Sequence, residues 1–237
     1  MSPLITIKSA SLANANVDSS QDAFDSEFAL VNSLQSLVRK QFKKNIGFER
    51  EFDCGFGIAD AIIFEYKRRK AALNLGQITP SWAYTLKQLP LKTNFDAEHI
   101  SKISGASLSL SKKAIKEFVD AGYCKQKENG IYVKLKEPEN IVDTIKAIEA
   151  KLKDWKRALW QASRYKTFAN ESWVVLDKKH ANPAIKNIDE FKRYNVGLAT
   201  ISIEGDYLVH FSPIEETHFS EIAYWKANAM IAQSLLN

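Results

Sequence analysis

The sequence predicts an α/β fold around a mixed sheet, interrupted by a second, basic module. Three observations support this. Strand-like and helix-like stretches alternate at both ends of the chain. The charge balance shifts abruptly at residue 67 and shifts back after residue 136. Between those points, three helical stretches lead to Lys127-Glu128-Asn129-Gly130, whose Asn-Gly pair marks a hairpin turn.

Taken in order, residues 21–44 carry Phe24, Phe28, Val31, Leu34, Leu37 and Val38 at amphipathic spacing, with Asp22 or Asp25 in the first turn of the helix. Residues 48–64 read as two strands around the bend Gly55-Phe56-Gly57. In the module, helices at 81–88, 96–104 and 108–121 precede strands at 123–126 and 131–135. The outer chain resumes at 141–152, followed by Asp154 as an N-cap and a helix over 155–168. A buried strand at 173–176, a short helix at 188–194 and strands at 197–203 and 207–211 follow. An amphipathic helix at 219–236 closes the chain and reads as a docking or dimer helix, which leaves a homodimer open.

The chain has 237 residues, 45% hydrophobic and 26% charged, enough for a sizeable core in one large or two small domains. Thirty-three Lys and Arg against 28 Asp and Glu give a net charge of +5, which permits a polyanionic partner without requiring one. The distribution is more informative. Residues 67–136 hold 14 basic and 5 acidic residues, a net of +9, whereas the rest hold 19 and 23, a net of −4. The expected organisation is a loose tail at 1–20, a discontinuous core at 21–66 and 137–237, and an inserted module at 67–136. Cys54 and Cys124 form no CxxC pair, which speaks against a disulfide framework or zinc knuckle and for a reducing cytoplasm. No run approaches the roughly 18 apolar residues of a membrane span, and the first residues lack the grading of a signal peptide, so no membrane partner is expected.

Three groups of residues stand out chemically. Asp60 interrupts the apolar strand Ile58-Ala59-Asp60-Ala61-Ile62-Ile63-Phe64, and a carboxylate there costs several kcal/mol unless a cation, backbone donors or an arginine compensates it. Glu149-Ala150-Lys151, read as a strand, puts Glu149 and Lys151 on one face and Ile148, Ala150 and Leu152 on the other. The same stretch also fits a helical stripe through Ile141, Ile145, Ile148, Leu152, Trp155 and Leu159. Gln161 and Tyr165, four residues apart, share a helix face, where a Gln can orient water or phosphate or simply decorate the surface.

Together, Gly57-Ile58-Ala59-Asp60, then Ile148-Glu149-Ala150-Lys151, then the helix carrying Gln161-Ala162-Ser163-Arg164-Tyr165 resemble the PD-(D/E)XK nuclease superfamily in order, spacing and the helix placed right after the Glu-x-Lys strand. The resemblance covers residues 21–66 and 137–211. It implies a restriction-endonuclease-like core in which Asp60 and Glu149 hold a metal ion, Lys151 serves the reacting phosphate, and Gln161 supports them. It also implies a helix-one carboxylate, for which Glu27 is the first choice and Asp25 the second. Mg²⁺ is the ion expected from oxygen ligands, with Mn²⁺ as the second choice. The chain departs from the family in the 88 residues between Asp60 and Glu149, where a short hairpin is usual; an inserted domain accounts for them.

The insert, from about residue 80 to 136, resembles a winged helix-turn-helix. That implies duplex DNA binding, with Lys112, Lys113 and Lys116 in the groove, Lys125 and Lys127 near phosphates, and Ser109 among the serines that cap the helix or touch phosphate. A winged helix used for protein contacts is the alternative. His99, His180, His210 and His218 form no metal-ligand spacing, and no hydrolase elbow or phosphate-binding glycine loop is present. Trp155, Trp160, Trp173 and Trp225 read as packing anchors rather than base-stacking platforms. The expected function is Mg²⁺-dependent endonucleolytic cleavage of DNA. The rivals are a non-catalytic DNA-binding regulator with a nuclease-like scaffold, and an enzyme of another class with a protein-binding winged helix.

Overall fold

Residues 22–41, 45–66 and 73–236 are described by a computed structural model. The expected tail at 1–20 and the run Lys67-Arg68-Arg69-Lys70 lie outside them. The chain forms two compact units: the described residues up to Glu65 with Thr144–Phe219, and Tyr66–Asp143 with the residues from Ser220 onward. In chain order the first unit begins with α1 (Glu27–Gln41), β1 (Ile46–Asp53) and β2 (Ile58–Tyr66). The second contributes α2 (Ala83–Gln88), β3 (Asn94–Phe95), α3 (Ala97–Ser104), α4 (Leu108–Asp120), β4 (Cys124–Glu128) and β5 (Ile131–Lys134). The first resumes with β6 (Val142–Lys151), α5 (Trp155–Tyr165), β7 (Glu171–Asp177), α6 (Asn182–Lys186), α7 (Ile188–Tyr194), β8 (Gly197–Ile201) and β9 (Tyr207–Phe211). Helix α8 (Glu221–Ser234) belongs to the second unit.

The first unit is a mixed α/β structure whose six-stranded sheet runs β1-β2-β6-β7-β8-β9. The pairs β1/β2 and β8/β9 are antiparallel, and β6/β7 and β7/β8 are parallel. The β1–β2 reversal passes through Gly55 (φ 95°) and Gly57 (φ 117°), backbone values that glycine adopts without a Cβ penalty. Helix α1 starts later than the sequence suggests. Ser26 Oγ accepts the Ala29 N–H at 3.1 Å, so Ser26 rather than an aspartate caps the helix, and Glu27 is the acid of its first turn. Leu30, Val31, Leu34 and Val38 of α1 pack on Ala61 and Ile63 of β2, Ile148 and Ala150 of β6, and Trp173 and Val175 of β7. Strand alternation then sends Asp60 and Glu149 to the opposite face, where Tyr165 of α5 meets Glu149.

The ambiguous stretch at 141–152 is strand β6, ended before Asp154, whose carboxylate accepts the Arg157 N–H at 3.1 Å and starts α5. Nearly every residue of β6 is buried, because a central strand is covered on both faces.

The second unit packs α2, α3 and α4 with an antiparallel three-stranded sheet of order β3-β5-β4. Its core joins Leu86, Phe95, Ile100, Ile115, Phe118 and Tyr123. Asp96 and Ser107 cap α3 and α4, and Gly105 (φ 71°) ends α3 in the left-handed conformation. Strand β3 went unread in the sequence, since two residues carry no periodicity. The Lys134 ammonium is buried between the Leu89 carbonyl at 2.7 Å, the Lys87 carbonyl at 3.3 Å and Glu137 at 2.8 Å. Helix α8, which the sequence left with the core as an amphipathic docking helix, instead buries Tyr224, Trp225, Asn228 and Ile231 within this unit. The buried Asn228 explains part of this grouping: its Oδ1 accepts the N–H groups of Ile141 and Val142, and its Nδ2 donates to the Tyr224 carbonyl. Among the described residues, no helix is long and apolar enough to cross a membrane.

Candidate active site

Asp60, the third residue of β2, and Glu149 and Lys151, at the end of β6, lie on neighbouring strands of the six-stranded sheet. Asp60 Oδ2 accepts the Ala150 N–H at 2.7 Å, which fixes the carboxylate against the Glu-x-Lys backbone. The Lys151 ammonium sits 2.9 Å from Glu149 Oε1, 3.7 Å from Asp60 Oδ2 and 3.0 Å from Glu27 Oε2. It also donates to the Ala150 carbonyl at 3.2 Å. One cation therefore gathers three carboxylates contributed by a helix and two strands. Of the compensations the sequence offered for Asp60, a backbone donor is present, and a lysine stands where an arginine was the alternative.

Burial grades these groups. The Glu149 side chain is 1% exposed, Lys151 12%, Asp60 30% and Glu27 45%. Desolvation is the main cause that holds Glu149 above the usual carboxylate range; the negative charge of Asp60 adds to it, while Tyr165 and Lys151 oppose it. Asp60 is likewise raised, first by burial and then by the charge of Glu27, against the Ala150 N–H and Lys151. Burial alone would depress Lys151, but its close contact with the Glu149 carboxylate and the charges of Asp60 and Glu149 outweigh it and push Lys151 upward. Lys151 is thus a fixed positive charge, unsuited to act as a general base.

Tyr165, on α5, is the contact that the sequence undervalued. Its hydroxyl lies 2.5 Å from Glu149 Oε2 and 2.8 Å from the Ile58 carbonyl, so it pins the carboxylate to the start of β2. Gln161, chosen from the same face, makes no hydrogen bond through its buried Oε1. The available signal was the four-residue spacing itself, which left Gln161 and Tyr165 equivalent; only the reach of the phenol separates them. Asp25 is exposed and joins none of these contacts, whereas Glu27 does.

Glu149 Oε1 is buried and makes no hydrogen bond; the Lys151 ammonium lies 2.9 Å from it as an ion-pair partner. Two carboxylates, one with an oxygen left without a hydrogen bond, suit Mg²⁺, which keeps several waters and takes few protein ligands. Among the described residues, no three His, Cys, Asp or Glu side chains form a ready metal cage. Asp60 and Glu149 would therefore hold the ion with water and substrate oxygens.

In the second unit, Lys112, Lys113 and Lys116 are exposed along α4, as are Ser109 in its first turn and Lys125 and Lys127 on β4. Ser107, not Ser109, caps α4 by accepting the Leu110 N–H. Cys54 and Cys124 are both buried, and burial pushes the Cys124 thiol up to about 12.

Comparison with protein-family models, with curated proteins and with solved structures returned no match.

Proposed function

We propose that the chain is a metal-dependent endonuclease of the restriction-endonuclease-like class that hydrolyses phosphodiester bonds in DNA, with a winged-helix insert that holds the substrate. The observation that carries this reading is the convergence of Asp60, Glu149 and Lys151 on neighbouring strands, with the Ala150 backbone inside the cluster and a helix following directly. Asp60 and Glu149 would hold Mg²⁺ or Mn²⁺. Bound there, the ion would polarise the phosphoryl group and acidify its water. Lys151 stays charged and offsets the negative charge that develops on the phosphorus oxygens. Tyr165 fixes the Glu149 carboxylate, and Glu27 restrains the Lys151 ammonium. The exposed lysines of α4 and β4 supply non-specific contacts to phosphate. A protein-binding role for the insert is the second reading, and it is favoured by Leu108 and Leu110, both about half exposed beside those lysines.

The test is incubation of the purified protein with supercoiled and linear DNA, in Mg²⁺ and in chelator. Cleavage is expected only with the ion. Asp60→Ala, Glu149→Ala and Lys151→Ala should each lower it by about 10²-fold or more while DNA binding persists. Full cleavage by the Glu149→Ala protein would end the assignment. DNA binding without cleavage would return the chain to the regulator reading.

A further inference from the structure

The most unusual surface near the candidate site is the outer face of α5. Trp160 is 60% exposed there, which corrects its reading as a packing anchor; Trp173 and Trp225 are buried as that reading expects. The Arg164 guanidinium stacks over the Trp160 ring at 4.9 Å, and the Lys156 ammonium lies 5.7 Å from the centre of the Trp155 ring. Lys156, Arg157, Trp160 and Arg164 of α5 are all exposed, at helical spacing that forms one basic stripe with an indole within it, and the exposed Lys153 precedes the helix. Among the described residues, the ion pairs of this unit engage Lys146, Lys151, Lys166, Lys178 and Lys192 rather than the stripe, whose charge is there for an outside partner. At about 100° per residue, Arg157 and Arg164 fall between Trp160 and the edge that bears Gln161 and Tyr165. The stripe thus leads from solvent to the residue that touches Glu149.

An isolated exposed aromatic needs no explanation. One flanked by cations on the helix that lines a phosphate-cleaving centre matches what an unpaired nucleotide requires: a flat apolar face for the base and positive charge for the phosphates on either side. A paired base inside a duplex offers no free face to the indole. We propose that Trp160 stacks an unpaired base of the substrate strand while Arg157 and Arg164 hold its phosphates, so that the preferred substrate carries a single-stranded segment next to the cut. This rests on the nuclease reading above and names its substrate class.

The experiment measures fluorescence anisotropy in chelator, so that no cleavage occurs, with two labelled DNA hairpins that share one duplex and are closed by a non-nucleotide linker, so that no loop base is unpaired: one blunt, one with a single-stranded tail of about eight nucleotides. Trp160→Ala should weaken binding of the tailed hairpin about tenfold and leave the blunt one within about twofold, while Trp160→Phe keeps most of the affinity. The melting temperature should not change, since the side chain is exposed. Equal affinity of wild type and Trp160→Ala for the tailed hairpin would overturn the proposal, as would an equal loss for both hairpins. Either result alongside Mg²⁺-dependent cleavage by wild type leaves the nuclease reading standing; failure of wild type to bind either DNA removes both.

Discussion

Asp60 and Glu149 are held together by a lysine, and that arrangement sets how the protein should respond to pH and to metal. Both carboxyls are raised by burial, so the folded state binds their protons more tightly than the unfolded chain does. For a raised carboxyl, that stabilisation is complete below the ordinary carboxylate range, near about pH 4, and is lost as pH climbs through the raised folded values. The contribution of this pair to the stability of the metal-free protein should therefore fall toward neutral pH, so the stability gap between Asp60→Asn and wild type should widen in the variant's favour as pH rises. Asp60→Asn removes one charge and keeps an acceptor for the Ala150 N–H, so in chelator it should be at least as stable as wild type at pH 7. Saturating Mg²⁺ should stabilise wild type by about 2.7 kcal/mol at a hundredfold excess over its dissociation constant, and the variant far less. Thermal melts across pH, with ion and with chelator, check both statements; an Mg²⁺ shift of the same size in Asp60→Asn would place the ion elsewhere. At this scale the sequence was informative where chemistry clashed with surroundings: a charge in an apolar strand is visible without a structure. It paired Tyr165 with Gln161 but undervalued it, because a tyrosine on a helix violates nothing.

Elements show why some boundaries were readable and others were not. Asp154, Asp96 and Gly105 announce helix ends through local hydrogen bonding and backbone freedom, and the helices start or stop there. Strand β6 gave two equal readings, because a strand buried on both faces loses the alternation that marks it and its isoleucines also fit a helical stripe. Helix α8 was read as amphipathic, but its partners come from elements distant in sequence, which periodicity does not encode. Close packing between strands was equally hidden. Gly197 of β8 pairs with Trp173 of β7, and a Cβ at Gly197 would come within 2.3 Å of the Trp173 ring. Gly47 and Phe64 repeat the arrangement across β1 and β2. Gly197→Ala should therefore destabilise by about 1–3 kcal/mol, the range for overpacking, although Ala suits a strand better than Gly does elsewhere. Urea unfolding of the variant measures this; a stability equal to wild type would mean that the indole can swing clear at no cost.

Across the whole molecule, charge is divided between the units more sharply than the net +5 suggests. The acidic residues that matter chemically converge in the first unit, whereas Lys112, Lys113, Lys116, Lys125 and Lys127 lie exposed in the second. If the second unit supplies affinity and the first supplies chemistry, the two should respond to different perturbations. Each lysine that neutralises a phosphate releases condensed counterions, so affinity should fall steeply with salt, by a slope of about 0.9 per contact. Reversing Lys112, Lys113 and Lys116 to Glu takes the net charge from +5 to −1, two charges per position. It should weaken DNA binding and reduce the slope of log affinity against log salt by about 3. Because Asp60, Glu149 and Lys151 are untouched, kcat at saturating DNA should persist while KM rises, the signature of lost uniform binding. Titrations at several salt concentrations, with steady-state cleavage beside them, separate the outcomes. An unchanged salt slope would mean that the lysines of α4 do not meet phosphate, and the exposed Leu108 and Leu110 beside them would then mark a protein-contact face.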